Sequence, residues 1–297
     1  MPDPKNVRLY AILARDSSRA VLFRRGPSKQ VLLINWDTAT DTIEEGQWFK
    51  GRIYERRCDL SPCGEFLLYF AASQRRPYYS WTAISRPPYF TALALWPKGD
   101  AWGGGGHFVS RDHILLNHWG NQMQPAEDFS VPNWLRVEPF GDHSGWGEDN
   151  PIWAEKLSRD GWVRVSEGKM TEKPGADVWI DFDPPVVWEK PHPNWPERYT
   201  LRMKILGIKE KGGPWYVCDH DVVDATTGEI YAFARTDWAD WSHSGDLLFT
   251  KHGAIHRLMC GPRALADLHQ PALVADLSDR TFTARKAPSD AARWPKR

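Results

Sequence analysis

The stretch with the most chemical promise is Gly141-Asp142-His143-Ser144-Gly145-Trp146-Gly147-Glu148-Asp149, with Trp153 close behind it. Paired carboxylates beside indole platforms are what sugar cleavage requires: one acid donates a proton, another acts as base or nucleophile, and the indole receives the sugar face. Acidic glycine-rich loops also serve simply as solvated turns, and that is the commoner use. A second candidate is Trp102-Gly103-Gly104-Gly105-Gly106-His107. Bare backbone N–H groups approach an anion closely, but neither a following helix nor a Gly-Lys-Ser/Thr ending is present, so a closely packed or mobile loop is the better reading. A third is Asp219-His220-Asp221, with Asp224 beyond. Strand alternation puts its two carboxylates on one side and the histidine on the other, a pattern suited to metal or acid–base work and also to the polar end of a strand.

Weaker signals fall away one by one. His252 and His256 have helical metal spacing, but Gly253 and the alternating context favour a strand. Of four cysteines only Cys58 and Cys63 are close together, which supplies neither a zinc set nor a disulfide framework. No metal and no cofactor is expected. The expected ligand-binding residues are Trp102, His107, Asp142, His143, Trp146, Glu148, Asp149, Trp153, Asp219 and Asp221, and no residue is assigned a catalytic role. Arg24, Arg25, Lys29, Lys50, Arg52, Arg56 and Arg57, with Trp48 and Phe49 among them, offer charge and stacking for an acidic partner or single-stranded nucleic acid. At strand edges of a neutral protein they read instead as a solvated surface that resists aggregation.

The elements that must position these residues are short strands. Arg8 to Ala14, Ala20 to Arg24, Val31 to Asn35 and Gln47 to Phe49 are separated by polar or Gly/Pro clusters at roughly ten-residue intervals, the spacing of an antiparallel meander. Phe66 to Phe70, Tyr79 to Ile84, Tyr89 to Trp96, His107 to Val109 and Ile114 to His118 continue the pattern. Residues 119 to 151 read as loop, and 168 to 196 as too proline-rich for central strands throughout. Tyr199 to Ile208 and Trp215 to His220 form a hairpin, followed by strands at Ile230 to Ala234, Leu247 to Thr250, Ile255 to Met259, Leu273 to Ala275 and Thr281 to Arg285. The one helical segment expected is Pro262 to Leu268.

A turn phrase recurs. Ser61-Pro62-Cys63-Gly64 leads into Glu65-Phe66-Leu67-Leu68-Tyr69, and Ser242-His243-Ser244-Gly245 leads into Asp246-Leu247-Leu248-Phe249; Ser158-Arg159-Asp160-Gly161 before Trp162 to Val165 is a loose third copy. Units of about forty to fifty residues with four short strands each are the mark of a β-propeller, in which radial stacking supplies the core that one blade lacks. The expected architecture is therefore all-β: a single-domain propeller of five or six four-stranded blades. Its units lie near 1–57, 58–105, 106–153, 154–235 (one or two blades) and 236–297. The two clear phrases resemble the Ser-Pro-Asp-Gly-x-x-Leu blade phrase of TolB-type and related WD-like propellers. Cys63 and Ser244 stand where that phrase has aspartate, and the second copy lacks the proline. The resemblance implies a fold and no catalytic residue, since these families include scaffolds, receptors and enzymes.

Composition bounds the function. Lys and Arg number 38 against 38 Asp and Glu, a zero net charge that argues against nucleic acid and anionic membranes as partners. No apolar run approaches the ~18 residues of a membrane helix, and the first residues lack a secretory pattern. A cytoplasmic monomer is expected. Seventeen tryptophans stand out, a residue that serves both sheet packing and concave binding surfaces. The function expected is a non-catalytic binding or interaction module presenting a tryptophan-rich loop face to a protein partner or a small or saccharide ligand. The alternative is a carbohydrate-binding or carbohydrate-cleaving enzyme using carboxylates at a central funnel.

Overall fold

Apolar runs become strands wherever a turn cluster stops them, and the computed structural model, which describes residues 7–26, 29–172, 175, 177–261 and 270–296, is all-β apart from short helical turns and one α-helix. The strands form five open sheets taken up in chain order. The first holds β1 (Arg8–Leu13), β2 (Arg19–Arg25), β3 (Gln30–Asp37) and β4 (Thr42–Lys50) as a meander. The second is built on β7 (Leu67–Ala72), β8 (Ser80–Ser85) and β9 (Ala92–Pro97), with the short strands β5 (Arg52–Ile53) and β6 (Asp59–Leu60) both paired to β7. In the third, β10 (Gly106–Ser110) and β11 (His113–Leu116) are antiparallel, whereas β12 (Arg136–Pro139) runs parallel to β11. The fourth orders β13 (Val163–Glu167), β14 (Val178–Pro191), β15 (Tyr199–Glu210), β16 (Tyr216–Asp224) and β17 (Ile230–Phe233) in sequence. The fifth does the same with β18 (Trp238–Trp241), β19 (Leu247–Lys251), β20 (Ala254–Leu258) and β21 (Ala272–Asp276).

The chain divides into two compact units, and each takes a segment from the far end of the sequence. One comprises Met1–Tyr10 with Leu157–Arg280, the other Ala11–Lys156 with Thr281–Arg297. In the first unit the Leu9 N–H donates to Asp237 Oδ2 at 3.3 Å and the Thr250 hydroxyl donates to the Leu9 carbonyl at 2.8 Å. In the second, Phe282 packs on Trp48, the Gln47 amide donates to the Arg285 carbonyl at 3.1 Å, and Trp294 packs on Phe66 and Trp134. The core of this second unit joins two sheets: Leu68, Ile84, Ala94 and Trp96 meet Phe108, Ile114 and Leu116, all buried. Such continuous apolar faces remove several hundred Å² from water at about 25 cal/mol per Å².

The repeated turn phrase makes the same serine-to-glycine turn twice, but the first copy closes one residue later, on Phe66, than the second, on Asp246. At the first copy the Gly64 N–H donates to the Ser61 carbonyl (2.8 Å), the Ser61 N–H to the Phe66 carbonyl (2.8 Å), and the Phe66 N–H to the Ser61 hydroxyl (2.9 Å). At the second, the Gly245 N–H donates to the Ser242 carbonyl (3.0 Å), the Ser242 N–H to the Asp246 carbonyl (2.8 Å), and the Asp246 N–H to the Ser242 hydroxyl (3.0 Å). Both glycines are left-handed, with φ of 76° and 93°. The third, looser copy is something else. Helix α1 (Ile152–Arg159), absent from the sequence reading, begins beside Pro151 and ends with the Gly161 N–H on the Ser158 carbonyl (3.2 Å) and the Trp162 N–H on the Leu157 carbonyl (2.9 Å). That is a Schellman helix end, which spells Ser-x-x-Gly for a different reason.

Four further expectations are corrected or set aside. The proline-rich segment contains β14, a 14-residue strand lying between two neighbours. The ladder to β15 jumps from Asp181 opposite Gly207 to Val186 opposite Ile205, so Pro184 and Pro185 sit in a bulge where no ladder N–H is needed. Thr281 to Arg285 forms no strand, and the expected helix at Pro262 to Leu268 falls outside the described residues. The basic cluster is not uniformly solvated: Arg24, Arg56 and Arg57 are buried, Arg24 against the Trp48 ring and Arg56 against Trp153.

Candidate functional site

The two irregular loops singled out in the sequence come together within the second unit, and one asparagine joins them. Asn117 follows directly on β11 and is fully buried. Its carbonyl accepts from the Gly104 N–H at 2.7 Å and its own N–H donates to the Gly105 carbonyl at 2.9 Å, fixing the glycine run. Its side chain does the same for the other loop: Nδ2 donates to the Trp146 carbonyl at 2.8 Å, and Oδ1 accepts from the Gly145 N–H at 2.6 Å. A direct bond from the Gly103 N–H to the Gly147 carbonyl, 2.6 Å, closes the pair.

The glycine run is packed rather than loose. A Cβ at Gly103 would lie 2.4 Å from the Gly145 carbonyl oxygen, one at Gly104 2.3 Å from the Phe70 ring, and one at Gly105 2.3 Å from the Arg57 carbonyl oxygen. Each of these glycine N–H groups already has a partner, Gly105 donating to Thr82 Oγ1 at 2.7 Å. An anion would find no backbone donor there, which removes the phosphate-cradle reading on geometry.

Two buried polar groups brace the loops from below. Arg57 donates to Asp149 Oδ1 (2.9 Å) and to the carbonyls of Ala101 (2.7 Å) and Gly103 (2.8 Å), while its plane lies over Tyr54 and Phe70. Thr82, which accepts from the Gly105 N–H, pairs through its hydroxyl with His118 Nε2, 2.7 Å away. Burial, reinforced by the Lys98 charge, pushes the His118 pKa down to about 3, so the imidazole is neutral. The Ser144 hydroxyl sits 2.7 Å from the His118 carbonyl and ties the same strand end to the acidic loop.

What these braces hold up is aromatic. Trp119 and Trp146 meet with ring centroids 4.8 Å apart and planes at 69°, and they are 37% and 61% exposed. Trp102, next to the Gly103 to Gly147 bond, is 64% exposed. Asp142, His143 and Glu148 also lie on the surface of this loop. The remaining candidates point inward. His107 is buried in β10 with its ring edge on Phe140, Asp149 is held by Arg57, and Trp153 is buried in α1 under Arg56.

Asp219 and Asp221 belong to the other unit, on β16. Asp221 is fully buried and ion-paired with Arg202 (2.6 Å) and Lys204 (2.5 Å), while Asp219 Oδ1 accepts from the Arg235 N–H at 2.8 Å. His220, between them, pairs with Thr236 Oγ1 at 2.7 Å. This cluster is committed to its own sheet. Among the described residues no group of three or more His, Cys, Asp or Glu side chains is placed to hold a metal ion. Among the described residues no helix is long and apolar enough to cross a membrane.

Sequence reasoning passed over Asn117 and Thr82, read Arg57 only as one of a basic cluster and met Trp119 only within a loop, yet all four build or complete this face. Asn117, Arg57 and Thr82 act through partners 12 to 92 residues away, which no spacing reveals. In comparisons with known proteins the chain matches no family model and no curated sequence.

Proposed function

We propose that this chain is a non-catalytic binding module that presents Trp102, Trp119 and Trp146 to its ligand from a β-propeller scaffold of five or six blades. One observation carries the functional half: two exposed indoles in edge contact on loops that one buried asparagine ties together. Exposed tryptophan is costly in water, and a rigid aromatic corner is the kind of surface on which binding energy concentrates. Five sheets in chain order, with the faces of two consecutive sheets packed together, support the scaffold reading, as does the likeness of the Ser61 and Ser242 turns to TolB-type blade phrases. On this reading the protein works in the cytoplasm as a monomer.

Carbohydrate is the second ligand class, favoured by the same indoles with Asp142 and Glu148 beside them. Cleavage is the less supported form of it, because Asp149 is neutralised by Arg57 and does not stand ready as an acid or base. The test is a lysate pull-down run beside a glycan-binding screen, each with the wild type and Trp146→Ala. A stoichiometric protein partner lost in the variant supports the interaction module, and glycan retention lost in the variant supports sugar recognition. Retention of every ligand by Trp146→Ala sinks the assignment to this face.

A further inference from the structure

We infer that the open edge of β17 pairs with the same edge of a second copy of this chain, making a weak antiparallel dimer through Ile230 and Ala232. This goes beyond the indole face and does not depend on it. Register settles which backbone groups are open. The Asp224 N–H donates to the Glu229 carbonyl at 2.9 Å, and the ladder then sets Val223 opposite Ile230, Val222 opposite Tyr231, Asp221 opposite Ala232 and His220 opposite Phe233. Bonded and unbonded pairs alternate in an antiparallel ladder. Tyr231 and Phe233 therefore turn their N–H and C=O groups towards β16, and Ile230 and Ala232 turn theirs away from it. β17 is the last strand of its sheet, so among the described residues those outward groups meet no further strand. The side chains are open as well: Ile230 is 57% exposed, and Ala232 is exposed.

Open edges are normally blunted by charge, proline or a bulge. The last strand of each of the other four sheets carries such a device. β4 has Glu44 and Glu45, and its ladder shifts register between Leu32 and Ile34. β9 ends in Pro97 and its ladder shifts between Ile84 and Ser85. β12 holds Arg136, Glu138 and Pro139, and the ladder of β21 shifts between Ile255 and His256. β17 is Ile230-Tyr231-Ala232-Phe233, without charge or proline, and its ladder is unbroken. Its one limit is a length of four residues.

The segment that fits this edge is the strand itself. Antiparallel pairing about a twofold axis at Tyr231 puts Ile230 of each copy opposite Ala232 of the other. These are the outward-facing residues, so each such pair exchanges both of its N–H···O bonds, and a large side chain stands beside a small one. Tyr231 meets Tyr231 of the second copy at the unbonded position, where side chains come closest. Its ring is already packed on Phe233, with centroids 4.7 Å apart. Charge agrees with the direction. Glu229 precedes the strand and Arg235 follows it, so an antiparallel copy sets acid near base, whereas a parallel copy sets like against like. A contact this short lies well below the ~1,200 Å² of a stable interface, so the pair is weak and reversible. The monomer is its dilute form.

Sedimentation of the full chain over a roughly hundredfold range of concentration should show the mass rising towards that of two chains. Amide exchange read residue by residue by NMR locates the contact. Ile230 and Ala232 should slow by at least about threefold from the dilute to the concentrated sample, while Tyr231 and Phe233, bonded to β16, stay slow in both. Ala232→Pro removes an outward N–H that the β16 ladder does not use, so it should leave the fold intact and abolish association. Ile230→Lys installs the charge that other edges carry and should do the same; it decides the matter if the proline variant fails to fold. A single-chain mass at every concentration overturns the inference, as does association that Ile230→Lys retains. If the chain stays single yet another protein slows the Ile230 and Ala232 amides, the edge takes a foreign strand and the second copy is ruled out.

Discussion

At the scale of single residues, the face is set by groups that never touch solvent. Arg57 is the most heavily used of them, since one guanidinium neutralises Asp149 and caps two loop carbonyls. Buried charge of this kind contributes more to holding one loop geometry than to net stability, because desolvation offsets much of the attraction. His118 has a measurable consequence. Its folded pKa, about 3, lies below the ordinary value of 6.5, so the unfolded chain takes up a proton that the folded one refuses. Stability is then complete above about pH 6.5 and is lost as pH falls from there towards 3, by up to ~1.4 kcal/mol per unit. Urea unfolding at pH 7.5 and pH 5 is expected to show a loss of about 2 kcal/mol attributable to this group. That increment should vanish in His118→Gln, and an unchanged pH difference in the variant would refute the assignment. None of this was legible in the sequence, where His118 is simply the end of a strand and Arg57 one of several surface-like arginines.

At the scale of elements the sequence was far more informative. Strand, turn, strand is a local message, written in apolar runs and Ser/Gly/Pro clusters, and β1 to β4, the β15–β16 hairpin, β19 and β20 lie close to where those signals put them. The failures share a cause: a local pattern with two structural meanings. Ser-x-x-Gly ends a helix at Gly161 and opens a strand at Gly64, and Pro-Pro stops a central strand unless a bulge removes the need for its N–H groups. The true copies make a prediction. Ser61→Ala and Ser242→Ala each remove the serine hydroxyl that accepts the closing N–H of its turn, from Phe66 and from Asp246, and should each cost about 1 kcal/mol in chemical unfolding. Gly245→Ala should cost about 2 kcal/mol or more, since it adds left-handed strain and a contact 2.5 Å from the His192 ring. Equal, negligible effects across all three variants would show that the two turns are alike in letters only.

For the whole molecule, long-range order was the least legible feature, because nothing local marks Leu9 as a partner of Asp237 and Thr250, or Trp294 as a partner of Phe66. The last stretch lacks strand structure, and its anchoring is aromatic and specific. Ending the chain at Arg280 should expose Phe66, Trp134 and Trp48 and loosen the unit to which they belong. Trp294→Ala alone should cost about 2 kcal/mol for a half-buried indole. Hydrogen exchange by mass spectrometry checks this: faster exchange is expected in β4 and β7, with β19 and β20 unaffected. Uniform acceleration throughout, or none, would contradict it.

The exchange of terminal segments between the two units also constrains how the protein is made. In most chains with two units the N-terminal one folds while the remainder is still being synthesised. Here the unit containing residues 11–156 lacks its closing segment until residues 281–297 emerge, and its companion must keep residues up to Tyr10 available until β18 and β19 exist. Neither unit is finished before the residues up to Arg280, or beyond Thr281 for the other, have been made, so until then the nascent chain carries open sheet edges and uncovered aromatics. Translation speed and chaperone supply, rather than the strength of any single contact, then govern how much of the protein reaches its native state.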